Sequence, residues 1–111
     1  MEINNAITAL GALAQENRLA IFRLLVQAGP TGLPAGQIGE QLGIPPATLS
    51  FHLSQLSHAG LLQSSRQGRS IIYVADYAAM NALLGFLTEN CCAGQPSCCP
   101  PAPVCTTEEP V

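Results

Sequence analysis

The sequence predicts a mainly α-helical domain that contains one β-hairpin and is followed by a flexible tail. Apolar residues recur every three or four positions through most of residues 3–59 and again in residues 77–90, as amphipathic helices require. Between these segments, residues 61–75 are rich in strand-forming residues and have one glycine at their centre. Residues 91–111 hold all 5 cysteines and a run of prolines, a composition that cannot build a packed core. We therefore expect one domain over residues 1–90 and a Cys/Pro-rich tail after it.

Four helices are expected before the hairpin. The spacing of apolar residues predicts the first over residues 3–14 and the second over residues 16–28, which glycine and proline residues then terminate. A short third helix is predicted over residues 34–42. Gly43 supplies the turn before a fourth helix over residues 45–59, which has proline in its first turn. The apolar stripes of the first two helices are Ile3, Ile7, Leu10 and Ala14, and Leu19, Phe22 and Val26.

The hairpin and a fifth helix complete the domain. Residues 61–65 and 70–75 have strand character, and the RQGR segment between them contains the glycine that a hairpin loop favours. Residues 77–90 return to helical spacing. The apolar positions that set this spacing are Tyr77, Met80, Leu84 and Leu87. A short helix, a glycine turn and a longer helix, followed by a hairpin with arginines at its tip, is the order of a winged helix-turn-helix domain.

The fourth helix has two contrasting faces on a helical wheel. Leu49, Leu53 and Leu56 share one side and are expected to pack on the domain. Short polar side chains opposite them allow close approach to DNA, where Gln and Ser can bond base edges or phosphates and a phenyl ring can contact a thymine methyl. The predicted DNA-contacting residues are Thr48, Phe51, Ser54 and Gln55, with Ser50 and His52 on the flanks. The alternative is an ordinary solvated face, on which a phenyl ring at Phe51 would gain nothing from water.

The charge balance is unusual for a nucleic-acid-binding protein. The formal net charge is −3, and the positive charge comes from 4 arginines, since the chain has no lysine. Arg66 and Arg69 frame the predicted hairpin tip, where they would reach phosphates or the minor groove. A solvated turn is the alternative interpretation. With so few cations, we expect DNA binding to depend only weakly on salt.

Three segments carry a family resemblance: LAQENRLAIFRLLV, GQIGEQLGIPPATLSFHLSQLSHAGLL and RQGRSIIYV. They resemble the ArsR/SmtB family of winged-helix repressors, over roughly residues 5–87, and the most specific piece is S-x-H-L-x-x-L-x-x-A-G-L-L from Ser50 to Leu62. The resemblance implies a homodimer whose interface is formed by the first and last helices, residues 3–14 and 77–90. It also implies a repressor that leaves operator DNA when a metal or metalloid binds. The apolar stripes of those helices fit an interface, although packing within one subunit would give the same pattern.

The resemblance also limits where the inducer site can lie. The family's arsenic site in the helix before the recognition helix needs cysteines, and LPAGQIGEQL has none. Its zinc-type site needs Asp and His on the last helix, where this chain offers Asp76 and Glu89 but no histidine. In the arsenic-responsive branch, adjacent cysteines follow the last helix and a third comes six residues later. The spacing of Cys91, Cys92 and Cys98 matches that arrangement.

Several ligands suit a cluster of thiolates, which select soft ions. Trivalent arsenic forms three bonds, which Cys91, Cys92 and Cys98 would satisfy, with Cys99 and Cys105 as auxiliary or substitutable ligands. A methylated trivalent arsenical would need only two thiols. Cadmium, lead or zinc would take four ligands, and a redox switch would pair the cysteines oxidatively without any metal. The arsenical would act as an inducer in each arsenic case, and no catalytic cofactor is expected.

Other classes of protein fit the sequence less well. A thiol-dependent enzyme would need a general base near its thiolate, and no histidine or lysine lies in the tail or close to it in the sequence. A thiol-rich carrier would not need a helix-turn-helix. The first residues lack the basic segment of a secretory signal, and no run approaches the roughly 20 apolar residues of a membrane span. We expect a cytoplasmic protein with reduced cysteines, no membrane partner, and double-stranded operator DNA as its target.

Overall fold

The computed structural model describes residues 1–91, and it confirms the predicted fold class of a mainly α-helical domain with a winged helix-turn-helix order. Apart from Cys91, the predicted tail lies outside the described residues. The elements follow in the order α1, α2, β1, α3, α4, β2, β3 and α5. Their bounds are α1 Ile3–Leu13, α2 Glu16–Ala28, β1 Leu33–Pro34, α3 Ala35–Leu42, α4 Pro46–His58, β2 Leu62–Gln67, β3 Ser70–Ala75 and α5 Tyr77–Leu87.

Helix α1 buries its small residues and exposes its large ones. Ala6 and Ala9 are buried where α1 packs against α2, α4 and α5. Three residues of the predicted stripe, Ile3, Ile7 and Leu10, are 61%, 61% and 42% exposed. The fourth, Ala14, follows the end of α1 at Leu13. The spacing of the stripe is therefore helical, as predicted, but it does not belong to the core of the single chain.

Helix α2 is the central helix of the core. The side chain of Gln15 accepts a hydrogen bond from the Arg18 N–H at 3.0 Å and caps the first turn. Its fully buried side chains are Ile21 and Leu25, and Phe22 is nearly so. Of the predicted apolar stripe, Phe22 is buried and Val26 packs against the core, whereas Leu19 is 44% exposed. The helix ends at Ala28, and Gly29 follows it with φ +88°, a positive φ that suits glycine.

A two-residue strand before α3 was not predicted from the sequence. Leu33 and Pro34 pair with Tyr73 and Ile72 of β3, and the third helix begins one residue later than predicted. Gly32 makes this close approach possible, since its φ is +69° and a Cβ there would collide with the Tyr73 carbonyl oxygen.

The helix-turn-helix consists of α3, a glycine turn and α4. Gly43 ends α3 in the left-handed conformation, with φ +67°, and Pro46 opens α4 where a missing N–H is tolerated. Leu49, Leu53 and Leu56 are all buried, as their wheel positions predict. They fasten one side of α4 to the core and leave the opposite side in solvent.

The wing is a three-stranded antiparallel sheet in the order β1-β3-β2. Strands β2 and β3 pair from Leu62↔Ala75 to Gln67↔Ser70, so the loop is only Gly68 and Arg69. Strand β3 has the predicted bounds, whereas β2 begins one residue later than predicted and ends two residues later, at Gln67. Arg66 lies in β2 opposite Ile71 and not in the loop.

Helix α5 closes the domain. The Asp76 carboxylate caps it by accepting the Ala79 N–H at 2.9 Å, and the Tyr77 hydroxyl donates to the Val26 carbonyl at 3.0 Å. The helix ends at Leu87, three residues before the predicted end, and Leu87 is 55% exposed. No helix within residues 1–91 is both long enough and apolar enough to cross a membrane.

Candidate nucleic-acid interface

The solvent-facing side of α4 carries short polar side chains around one aromatic ring. Of the residues predicted to contact DNA on this helix, five are exposed: Thr48, Ser50, Phe51, Ser54 and Gln55. Phe51 is 56% exposed, which is unusual for a phenyl ring with no covering element among the described residues. Because the buried leucines fix the rotation of the helix, these side chains share its solvent-facing side. We call these five residues the α4 surface.

His52 does not belong to the α4 surface, and its predicted place on the flank is wrong. The side chain is only 6% exposed, and its Nδ1 lies 3.4 Å from the Arg18 guanidinium. Burial lowers the pKa of His52 below its ordinary value, and the positive charge of Arg18 lowers it further. The signal that could have placed it is its spacing, since four residues of helix put His52 only about 40° from Leu56.

His58, at the end of α4, is exposed beside the α4 surface. Its Nδ1 is 3.5 Å from the Ser54 hydroxyl oxygen, a long contact across one helical turn. The two histidines of the chain therefore lie in different surroundings. One is buried against a cation, and the other is solvated next to a hydroxyl.

The wing contributes two cations. Arg66 on β2 and Arg69 in the loop are both exposed, as predicted from the sequence. The carboxylate at the base of the wing is that of Asp76, which caps α5 and accepts from the Gln63 side chain at 3.0 Å. The hydrogen bonds from Ala79 and then from Gln63 lower the pKa of Asp76. Asp76 is therefore held ionised in a structural role.

An open groove lies between the start of α4 and the wing. It has a volume of about 700 Å³ and is lined mainly by apolar and small residues, including Ile44, Leu49 and Ile71. Among the described residues, Glu40 is its one carboxylate. Within residues 1–91, no group of three or more His, Cys, Asp or Glu side chains is placed to hold a metal ion.

The predicted thiolate site begins where the described residues end. Cys91 is half-buried just after α5, and its backbone N–H donates to the Thr88 carbonyl at 3.0 Å. The four other predicted ligands lie outside the described residues: Cys92, Cys98, Cys99 and Cys105. The thiolate cluster therefore stays a prediction from sequence.

Known proteins resemble the chain across this domain. A family model described as "Helix-turn-helix domain" matches residues 13–64. The HTH-type transcriptional regulator YgaV of Escherichia coli is 30% identical over 87 residues, which are 78% of this chain and 86% of that protein. The transcriptional activator HlyU of Vibrio cholerae is 28% identical over 94 residues, covering 83% and 84% of the two chains. The structure of reduced HlyU has a TM-score of 0.64 and covers 80% of this chain and 90% of that one, at 26% identity.

A further solved structure bears on assembly. It is the homodimeric winged helix-turn-helix DNA-binding domain Mb0332 from Mycobacterium bovis, described as a possible ArsR-family transcriptional regulator. Its TM-score is 0.63 at 25% identity, and the match covers 84% of this chain and 86% of that one. The match is longer than the helix-turn-helix and the wing together, which span residues 35–75.

Proposed function

The chain belongs to the ArsR/HlyU-type winged helix-turn-helix transcriptional regulators and is not an enzyme, and from this premise we propose that it is an arsenic(III)-responsive repressor. In this proposal it binds operator DNA as a homodimer and is released when a trivalent arsenical binds cysteines of the tail. The observation that carries the arsenic assignment is the spacing of Cys91, Cys92 and Cys98, the first of which follows the end of α5 by four positions.

The α4 surface is the proposed DNA-reading element. Its hydroxyl and amide groups suit base edges and phosphates, and the exposed Phe51 ring suits a thymine methyl in the major groove. Arg66 and Arg69 extend from the wing and would contact phosphates or the adjacent minor groove. His52 takes no part in this contact, because it is buried beneath the surface.

The exposed stripe on α1 supports the homodimer. Ile3, Ile7 and Leu10 form an apolar strip without a covering element in the described part of the chain, and α1 packs beside α5, where Leu87 is also exposed. A two-fold pairing of these helices would bury the strip against its own copy. Such a dimer would place two α4 surfaces in successive major grooves of a palindromic operator. The homodimeric state of the similar Mycobacterium bovis domain supports this arrangement.

The proposed induction step links the thiolates to α5. Three thiolates would satisfy the three bonds of trivalent arsenic, so Cys91, Cys92 and Cys98 must converge next to the end of that helix. Because α5 lies at the proposed dimer interface, reshaping its last turn would change the spacing of the two DNA-reading surfaces. A release factor of ~100 in operator affinity corresponds to a coupling of roughly 2.7 kcal/mol.

Fluorescence anisotropy of a labelled DNA fragment from upstream of the protein's own gene tests the proposal. The reduced full-length protein is bound to the fragment and then titrated separately with arsenite, phenylarsenite, cadmium and zinc. Release by arsenicals alone, lost in Cys91→Ser/Cys92→Ser/Cys98→Ser and kept in the matched Cys99→Ser/Cys105→Ser control, is the expected result. Release by cadmium or zinc would indicate a four-thiolate site instead. A fragment that never binds the protein contradicts the repressor proposal.

A thiol redox switch is the second candidate function. The likeness to HlyU, one solved structure of which is described as reduced, favours it, and 5 cysteines permit oxidative pairing. This candidate predicts that a mild thiol oxidant releases the DNA without any metal and that dithiothreitol restores binding. In this case arsenite would not release the DNA, even at concentrations at which it occupies three thiolates.

A further inference from the structure

We propose that Arg18 and His52 are positioning residues for the α4 surface, which they tie to the C-terminal end of α1. The inference deepens the proposed DNA-binding function and rests on it. Neither residue would touch the DNA. Their role is to hold the rotation of α4 and the ring of Phe51 in the orientation that the operator requires.

One arginine side chain joins three helices. Arg18 lies in the first turn of α2, and its Nε–H donates to the Ala12 carbonyl oxygen near the end of α1. The same guanidinium has its Nη1 3.4 Å from Nδ1 of His52 on α4. These contacts hold the planar guanidinium at two points. A change in the position of α1 would therefore be transmitted to α4.

The contact fixes the protonation state of the histidine. Arginine has donors but no acceptor, so the contact is favourable only when Nδ1 of His52 is an unprotonated acceptor and the ring proton is on Nε2. A second proton on the ring would remove the acceptor and place a buried cation next to the Arg18 guanidinium. The lowered pKa of His52 agrees with this arrangement.

No other charged group of the described residues competes for His52. Helix α4 packs against α1, α2, α3 and β2, and α1 has no charged residue. The remaining ionisable side chains on these elements are exposed: Glu16, Arg23, Glu40, His58 and Arg66. Arg18 is therefore the group that orients the imidazole.

The imidazole in turn supports the α4 surface. The rings of His52 and Phe51 meet edge to face, with centroids 5.6 Å apart and an angle of 60° between planes. Phe51 is the exposed aromatic residue of that surface. A continuous path of contacts therefore runs from the Ala12 carbonyl through Arg18 and His52 to the ring proposed to meet DNA.

The test combines variants of the full-length chain with operator binding by anisotropy. Arg18→Met and His52→Leu remove the donor and the acceptor while keeping most of the side-chain volume. Each is expected to weaken operator affinity about tenfold, the effect of one missing hydrogen bond to a charged group. Arg23→Met, which replaces an exposed arginine of the same helix, is the matched control and should bind as the wild type does. His52→Gln offers a carbonyl oxygen to Arg18 and should restore most of the affinity.

A long-range ¹H–¹⁵N spectrum of the histidine side chains gives a readout that does not require DNA. The chain has 2 histidines, so the His52→Gln variant assigns both. We expect the Nε2–H tautomer for His52, which persists below the ordinary histidine pKa of about 6.5 and is lost in Arg18→Met.

Two results would overturn the inference. The first is Arg18→Met and His52→Leu binding operator as tightly as Arg23→Met. The second is an Nδ1–H tautomer of His52 in the wild type, a result that decides the question even where those variants fail to fold. If the wild type binds no fragment but shows the Nε2–H tautomer, the proposed function fails while the Arg18–His52 contact stands.

Discussion

Replacing Ile7 by alanine tests whether the exposed strip of α1 is a dimer interface. Ile7 is 61% exposed in the single chain, so its loss should barely change the stability of the monomer. Burying a whole isoleucine side chain contributes roughly 1.5–3 kcal/mol, so burying the exposed 61% contributes about 0.9–1.8 kcal/mol. Two-fold symmetry doubles the loss to about 1.8–3.7 kcal/mol, which is about a 20- to 500-fold weaker dimer.

Sedimentation equilibrium of the reduced protein measures this dissociation constant directly. Ile71→Ala is the matched control, because Ile71 is also an exposed isoleucine, at 40%, but lies on β3 of the wing. The α1 strip is not the dimer interface if Ile7→Ala dimerises as tightly as Ile71→Ala, or if both variants weaken the dimer equally. In either case the strip on α1 would have to be explained by another partner.

Three further predictions concern the cap of α5, the α4 surface and the wing. Asp76→Ala should lower the free energy of unfolding by about 1 kcal/mol in thermal melts, because it removes a helix cap. Folding lowers the pKa of Asp76, so the stabilisation that its carboxylate gives the fold is complete above the pKa of Asp76 in the unfolded chain. This stabilisation is lost as the pH falls through the pKa of Asp76 in the folded protein. Asp76→Asn should therefore remove this part of the acid dependence of stability. Phe51→Ala and Gln55→Ala should each weaken operator affinity by about 1–3 kcal/mol, and unchanged anisotropy curves would exclude α4 as the reading element. Arg66→Gln/Arg69→Gln should reduce the slope of log affinity against log salt concentration by about 1 for each phosphate that the arginines neutralise. An unchanged slope would show that the wing arginines do not contact phosphates.

The helix-turn-helix could be predicted because local patterns dictate it. Leu49, Leu53 and Leu56 repeat at the spacing of one helix face, and Gly43 provides the left-handed residue of the turn. The hairpin could be located for a similar reason, since Gly68 sits between two segments of strand-forming residues. These features depend on neighbours within a few positions of the chain.

The features that could not be predicted from the sequence depend on contacts between distant segments. β1 is only two residues long and exists because Leu33 meets Tyr73, forty positions away. Arg18 finds His52 from another helix, and no local pattern links the two residues. A helical stripe also looks the same whether it faces the core or a second subunit, so Ile7 could not be assigned before the burial of the single chain was known.

The linkage between arsenic and operator binding is the central claim, and its reciprocity can be measured directly. Isothermal titration calorimetry gives the arsenite affinity of the reduced protein, first free and then saturated with its operator fragment. If arsenite causes a release factor of ~100, thermodynamic linkage requires arsenite to bind the DNA complex ~100-fold more weakly than the free protein. Cys91→Ser/Cys92→Ser/Cys98→Ser should bind no arsenite tightly in either state. Equal arsenite affinities for the free and DNA-bound wild type would contradict the account, because a ligand that does not distinguish the two states cannot release the operator.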